Sequence, residues 1–236
     1  MTSYSNKISL RAASLIAGLA ILGSVIVAPF AELYAYPKII VPYQAAETAK
    51  NIVENRALFI ALIFAYFITF LLDIVIAWAL YIFLKPVNDS LSLLIACLRI
   101  VYAVIALVAL NNLVTAFQLL DTPGYLKLFD QNQLNVQVML YLRAFKNHWY
   151  FGMILFAIHL LLLGFLVLKS TYIPKALGVI LMITGSGYLL TTLRPFLFPR
   201  LHIDFAKYTF YGELIFMLWL LIKGAHSREH IKVLMQ

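Results

Sequence analysis

Cysteine is all but missing from this chain of 236 residues, and Cys97 alone leaves no internal disulfide, no redox pair and no cysteine-rich metal site. Charge is scarce as well. Asp, Glu, Lys and Arg together make up 12% of the chain, against about 25% in a water-soluble domain. The net charge of +8 is spread over the ends and connections. No basic stripe of the kind that tracks a phosphate backbone exists, so no nucleic-acid partner is expected. G-x-S-x-G, H-E-x-x-H, a phosphate-binding loop and a dinucleotide fingerprint are all absent, and no motif asks for a cofactor. The short alternating strands of a membrane barrel are missing too.

What fills the chain is apolar surface: 64% of residues are hydrophobic and the mean hydropathy is +0.93. Runs of about 20 apolar residues, enough to cross about 30 Å of hydrocarbon, recur throughout. The pattern predicts an all-α, polytopic transmembrane helical bundle forming one integral membrane domain over 1–236, with the lipid bilayer as its first partner. Six spans are expected at about 12–28, 57–84, 91–120, 149–168, 174–193 and 205–222. A charged start, an apolar middle and small residues near Ala28 and Ala31 also fit a cleaved signal peptide. The apolar stretch is long for one, and the later spans need an anchor, so it is read as the first span.

Short interfacial helices are expected in the longer loops. Pro29, Pro37 and Pro42 should break the chain after span 1, before an amphipathic helix over 45–55 with Ala46, Ala49, Ile52 and Val53 on its apolar face. Pro123 and Gly124 mark a turn after span 3. The polar stretch 125–147 should lie outside the lipid, with Leu134, Val138, Leu142 and Phe145 at helical spacing leading into span 4. Ser14, Ala17, Gly18 and Gly23 offer span 1 a close-packing face. With six spans both termini share a side; Lys and Arg are denser in the short turns and tails there, which favours cytoplasmic termini.

Against this background four ionisable residues stand inside spans. Asp73 lies 12 positions before Lys85, Arg99 lies 9 after Ser90, and His159 and Glu213 each lie 10 before a lysine, Lys169 and Lys223. At a rise of about 1.5 Å per residue all four fall near the bilayer midplane, forming a polar layer. Ser24 and Ser186 could offer hydroxyls near the same depth. A lone acid or guanidinium at a helix centre costs about 3 kcal/mol, so Asp73, Arg99 and Glu213 should meet rather than face lipid. The turn at 85–90 makes spans 2 and 3 antiparallel neighbours and brings Asp73 and Arg99 within reach of a bidentate pair. Ser92, Ala96, Tyr102, Ala103 and Ala106 share the Arg99 face and suit an interior. Glu213 and His159 are left to find one another, the pair, or water. Asn111 and Asn112 are expected to form interhelical or interfacial hydrogen bonds.

Asp73, His159 and Glu213 have the residue types of a two-carboxylate, one-histidine metal site, but only one histidine is deep. His148, eleven residues from His159, is about 16 Å away along a helix and cannot share a metal with it. No metal ligand is therefore assigned.

Four stretches carry a family likeness: Val41-Pro42 through Asn51-Ile52; Asp73 through Leu84-Lys85-Pro86-Val87-Asn88; His159 through Gly164, Lys169-Ser170, Tyr172, Pro174 and Leu177-Gly178; and Gly212-Glu213-Leu214 through Trp219 and Lys223-Gly224. In these the chain resembles a bacterial family of polytopic membrane proteins, domain-of-unknown-function family 4386. The resemblance implies a multi-pass inner-membrane protein and brings no activity with it. The expectation is a membrane protein, more a non-enzymatic protein than an enzyme, whose midplane cluster of Asp73, Arg99, His159 and Glu213 binds or passes a small solute or a proton. The alternatives are a metal-dependent intramembrane enzyme acting on a lipid and a purely structural or accessory protein.

Overall fold

The computed structural model of the chain describes residues 8–121, 130–197 and 211–224. Among them the only regular elements are helices: α1 (Leu10–Pro29), a π-helical segment (Phe30–Ala35), α2 (Tyr36–Ile39), α3 (Ala45–Glu54), α4 (Arg56–Leu84), α5 (Asp89–Asp121), α6 (Gln131–Lys169), α7 (Lys175–Leu197) and α8 (Tyr211–Ile222). Five helical stretches are long and apolar enough to cross a membrane: Leu10–Ile39, Arg56–Leu84, Asp89–Asp121, Gln131–Lys169 and Lys175–Arg194. The sixth expected span is represented by the shorter apolar helix Tyr211–Ile222; its expected beginning at 205–210 lies outside the described residues, as do the turn at Pro123-Gly124 and the residues after Gly224. The outer face of α4 shows why water is the wrong solvent. Phe64, Phe67, Ile68, Leu71, Val75 and Trp78 are all exposed, recurring at helical spacing with no polar residue among them.

Three expectations change. Pro29 and Pro37 do not break the first helix, which continues to Ile39. A proline removes a backbone donor and clashes with the carbonyl four residues back. The chain absorbs this by widening into the π segment, where the Tyr36 N–H donates to the Ala31 carbonyl five residues earlier. Second, the stretch before span 4 is no separate interfacial helix. It runs on as the first turns of the 39-residue α6, with Leu134, Val138, Leu142 and Phe145 buried at the expected spacing. Third, α3 buries Thr48, Ala49 and Ile52, while Ala46 and Val53 are exposed. The Thr48 hydroxyl accepts from the Val41 N–H at 3.0 Å and donates to the Val41 carbonyl at 3.1 Å, which turns the helix towards a polar partner that hydrophobic spacing does not register.

The described residues gather into two compact units, to both of which α4, α5 and α6 contribute. One holds those of Met1–Leu22, Leu72–Tyr102 and Met153–Gln236; the other holds those of Gly23–Leu71 and Ala103–Gly152. In the first unit small residues bring helices into backbone contact. A Cβ on Gly164 would lie 2.6 Å from the Gly178 carbonyl oxygen, and one on Gly178 would lie 2.7 Å from that of Gly164, so α6 and α7 touch through two glycines. The α1 face of Ser14, Ala17 and Gly18 is buried, and its partner is α8: the Ser14 hydroxyl donates to the Leu220 carbonyl at 2.6 Å. The turn between α4 and α5 is closed by Asn88, whose side-chain oxygen caps α5 by accepting the Leu91 N–H at 2.8 Å. Between α6 and α7 the Ser170 hydroxyl oxygen accepts the N–H groups of Tyr172 and Ile173, both at 3.2 Å. The Tyr172 hydroxyl donates to the Phe83 carbonyl at 2.7 Å.

In the second unit, Asn112 forms the interhelical bond expected of it, its amide lying 3.3 Å from His148 Nδ1.

Candidate functional site

The first unit contains all four expected site residues, contributed by α4, α5, α6 and α8, and Arg99 is their hub. The α4–α5 hairpin aligns Asp73 and Arg99, and both are buried. Arg99 Nε and Nη2 donate to Asp73 Oδ1 at 3.0 and 2.6 Å. Both bonds converge on a single oxygen, so the fork-to-fork pair expected from the residue types is replaced by a bifurcated one. The reason lies on the other side of the guanidinium. Nη1 faces His159 Nε2 at 3.3 Å and Glu213 Oε1 at 3.7 Å, so the group is shared among three partners.

These contacts define the histidine's tautomer. His159 Nδ1 lies 2.9 Å from the Ile95 carbonyl oxygen, which can only accept. Arg99 can only donate. His159 therefore carries its proton on Nδ1 and receives Arg99 through the Nε2 lone pair, an assignment that follows from the partners. Below the guanidinium lies the Phe156 ring, with its centroid 5.0 Å from Arg99 Cζ. Phe156 stacks on His159 at 5.9 Å and meets the Tyr188 ring edge-on at 5.6 Å. The small and polar neighbours expected on the Arg99 face, Ser92, Ala96, Tyr102, Ala103 and Ala106, are all buried.

Glu213 differs from the other three. It sits in the first turn of α8, and Gly212 beside it lets that end press against α7, where an added Cβ would lie 2.0 Å from the Thr184 hydroxyl oxygen. Its side chain keeps 18% of its surface accessible, against 4% for Arg99 and 7% for Asp73. Its ion pair with Arg99 at 3.7 Å is too long for a hydrogen bond, and it makes no other polar contact among the described residues. The cluster thus has a hydrogen-bonded part, Asp73–Arg99–His159, and one carboxylate that joins it only through a longer ion pair.

Ser186 is exposed, while Gly185 turns inward to the Ala157 backbone, 2.9 Å from where its Cβ would be. Ser24 belongs to the second unit, its hydroxyl oxygen buried without a hydrogen-bond partner among the described residues. Sequence reasoning missed Phe156 and Tyr188, two rings among many, and the Ile95 carbonyl, which no side-chain pattern reveals. It also missed a second, part-buried ion pair. Lys146, expected in a polar connection outside the lipid, is paired with Glu32, their side chains 14% and 30% exposed.

Long helices with apolar outer faces around buried charged groups are the marks of a helical membrane protein. Within that class the chain belongs to the family described as Domain of unknown function (DUF4386), which it matches over residues 16–224. It is similar to an uncharacterized protein of Archaeoglobus fulgidus, 36% identical over 163 residues that cover 69% of this chain and 83% of that one. No solved structure matches the chain.

Proposed function

We propose that this is a six-span protein of the inner membrane, its termini cytoplasmic, in which Glu213 takes up and releases a proton or the cationic group of a small solute beside a fixed Asp73–Arg99–His159 tie. The observation that carries the reading is the asymmetry of the cluster: Asp73, Arg99 and His159 are joined by hydrogen bonds, whereas Glu213 makes none among the described residues and keeps 18% of its side-chain surface accessible. A carboxylate held near a guanidinium can exchange a proton or an ammonium group without dismantling the helix packing, because the tie persists on Asp73 and His159. Purely structural charges have no need of the fourth member. A metal-dependent enzyme is disfavoured by the same geometry. The guanidinium consumes lone pairs of Asp73 Oδ1 and His159 Nε2 that a cation would need, and among the described residues no group of three His, Cys, Asp or Glu is disposed to hold a metal ion.

Liposomes containing the full chain and an internal pH-sensitive dye test the proton arm. An imposed pH gradient should collapse at least tenfold faster than in empty liposomes, and Glu213→Gln should remove the excess. Methylammonium, supplied as an external gradient, tests the cation arm with the same variant. Rates for both probes equal to those of empty liposomes, or unchanged by Glu213→Gln, would overturn the reading.

A further inference from the structure

A second polar cluster lies wholly within the other unit, built on the π-helical segment. Glu32 Oε1 accepts from both the Tyr66 hydroxyl and the Lys146 ammonium, and Lys146 Nζ also donates to the Tyr66 hydroxyl oxygen at 3.4 Å. Every hydrogen bond to this carboxylate among the described residues falls on Oε1, which leaves Oε2 open.

Around the ammonium stand five aromatic rings. Lys146 Nζ is 4.2 Å from the centroid of Tyr36, 4.8 Å from Trp149, 5.8 Å from both Tyr66 and Phe145, and 5.9 Å from Tyr150. The rings brace one another: Phe145 packs against Tyr66 at 4.9 Å and against Trp149 at 5.8 Å. Ring faces within about 6 Å of a cation, with a carboxylate at the same point, form the chemistry that recognises alkylammonium groups.

A static ion pair needs one acceptor and no cage. Here five ring faces and a carboxylate converge on one ammonium, Tyr66 and Phe145 from the core and the others from its edge. Glu32 is presented by a π-helical turn, a rare geometry that recurs at functional sites. The carboxylate side of the cage is open, with the Glu32 side chain 30% exposed, and Lys146 enters on a flexible four-carbon stem.

We propose that Glu32 and the rings of Tyr36, Tyr66, Phe145, Trp149 and Tyr150 form a binding site for the alkylammonium group of a small amine or quaternary-ammonium compound, with Lys146 as a tethered resident that gives way to it. The site is independent of the Glu213 reading, since none of its residues belongs to that cluster.

Tetramethylammonium chloride, against sodium chloride at equal ionic strength, is the probe for the full chain in lipid nanodiscs. Lys146→Met removes the resident ammonium and keeps the stem; it should bind labelled tetramethylammonium saturably and at least tenfold more tightly than the wild-type chain, and adding Glu32→Gln should abolish that binding. In the unsubstituted chain tetramethylammonium should raise the rate of Lys146 acetylation several-fold, read by mass spectrometry, as the displaced amine leaves the cage. Should Lys146→Met fail to fold, the acetylation measurement decides alone. Acetylation unaffected by tetramethylammonium overturns the proposal even if Lys146→Met binds the probe, because the cage would then be locked. A folded Lys146→Met with no saturable binding overturns it equally.

Discussion

Replacing Arg99 by Gln strips Asp73 Oδ1 of two donors, 3.0 and 2.6 Å away, and His159 Nε2 of one at 3.3 Å. Hydrogen bonds to a charged group contribute about 1.5–3 kcal/mol each, and leaving one member of a buried pair uncompensated costs about 3–5 kcal/mol. We expect Arg99→Gln to lose about 4 kcal/mol. Asp73→Asn should lose less, about 2 kcal/mol, because an amide oxygen still accepts from Arg99 while Glu213 supplies counter-charge at 3.7 Å. The double variant leaves two neutral amides that can bond one another. It should lose about 4 kcal/mol rather than the additive figure of about 6, a coupling of about 2 kcal/mol. Reversible unfolding in dodecylmaltoside micelles titrated with dodecyl sulfate, followed by far-UV circular dichroism, measures all three. Arg56→Gln supplies the contrast: its pair with Asp121 is about half exposed, with side chains 54% and 47% accessible, so the change should leave stability nearly unaltered and any effect should weaken with salt. Losses that add to within about 0.5 kcal/mol would refute the idea that Asp73 and Arg99 act as a unit.

Two further outcomes follow from the packing. Gly164→Ala drives a methyl group to within 2.6 Å of the Gly178 carbonyl oxygen, a backbone atom that cannot rotate away, so the same assay should show a loss of about 1–3 kcal/mol. Tyr172, in the connection between α6 and α7, has its phenol pushed up by burial. A raised value means that the neutral form is favoured on folding. The stability it contributes is complete below the unfolded tyrosine value of about 10 and is lost as pH rises beyond it. Alkaline unfolding of the wild-type chain should therefore steepen above that point by more than in Tyr172→Phe, which at neutral pH should lose about 1 kcal/mol with its bond to the Phe83 carbonyl.

The Asp73–Arg99 pairing was legible because two constraints agree: a four-residue turn forces α4 and α5 side by side, and neither charge can face lipid alone. Such an argument has no grip on partners carried by separate helices. The sequence leaves His159 and Glu213 to one another, the pair or water, and the structure brings both to the guanidinium through its second edge. Residue type alone predicts stops at Pro29 and Pro37, because backbone relief by a π turn depends on how the helix is held. Lys146 was hidden by its neighbours. Gln131 to Gln137 colour the whole stretch as solvated, whereas burial at Lys146 depends on a glutamate more than a hundred residues earlier in the chain. Thr48 shows the same limit on a smaller scale, its hydroxyl deciding which face of α3 turns inward.

Difference infrared spectroscopy of the full chain in lipid, recorded across a pH step, tests the exchangeable role of Glu213 most directly. A protonated-carboxyl stretching band should grow as pH falls, vanish in Glu213→Gln and survive in Asp73→Asn. A band that persists in Glu213→Gln and disappears in Asp73→Asn would contradict the assignment, because the exchanging proton would then sit on the tie and not on the free carboxylate.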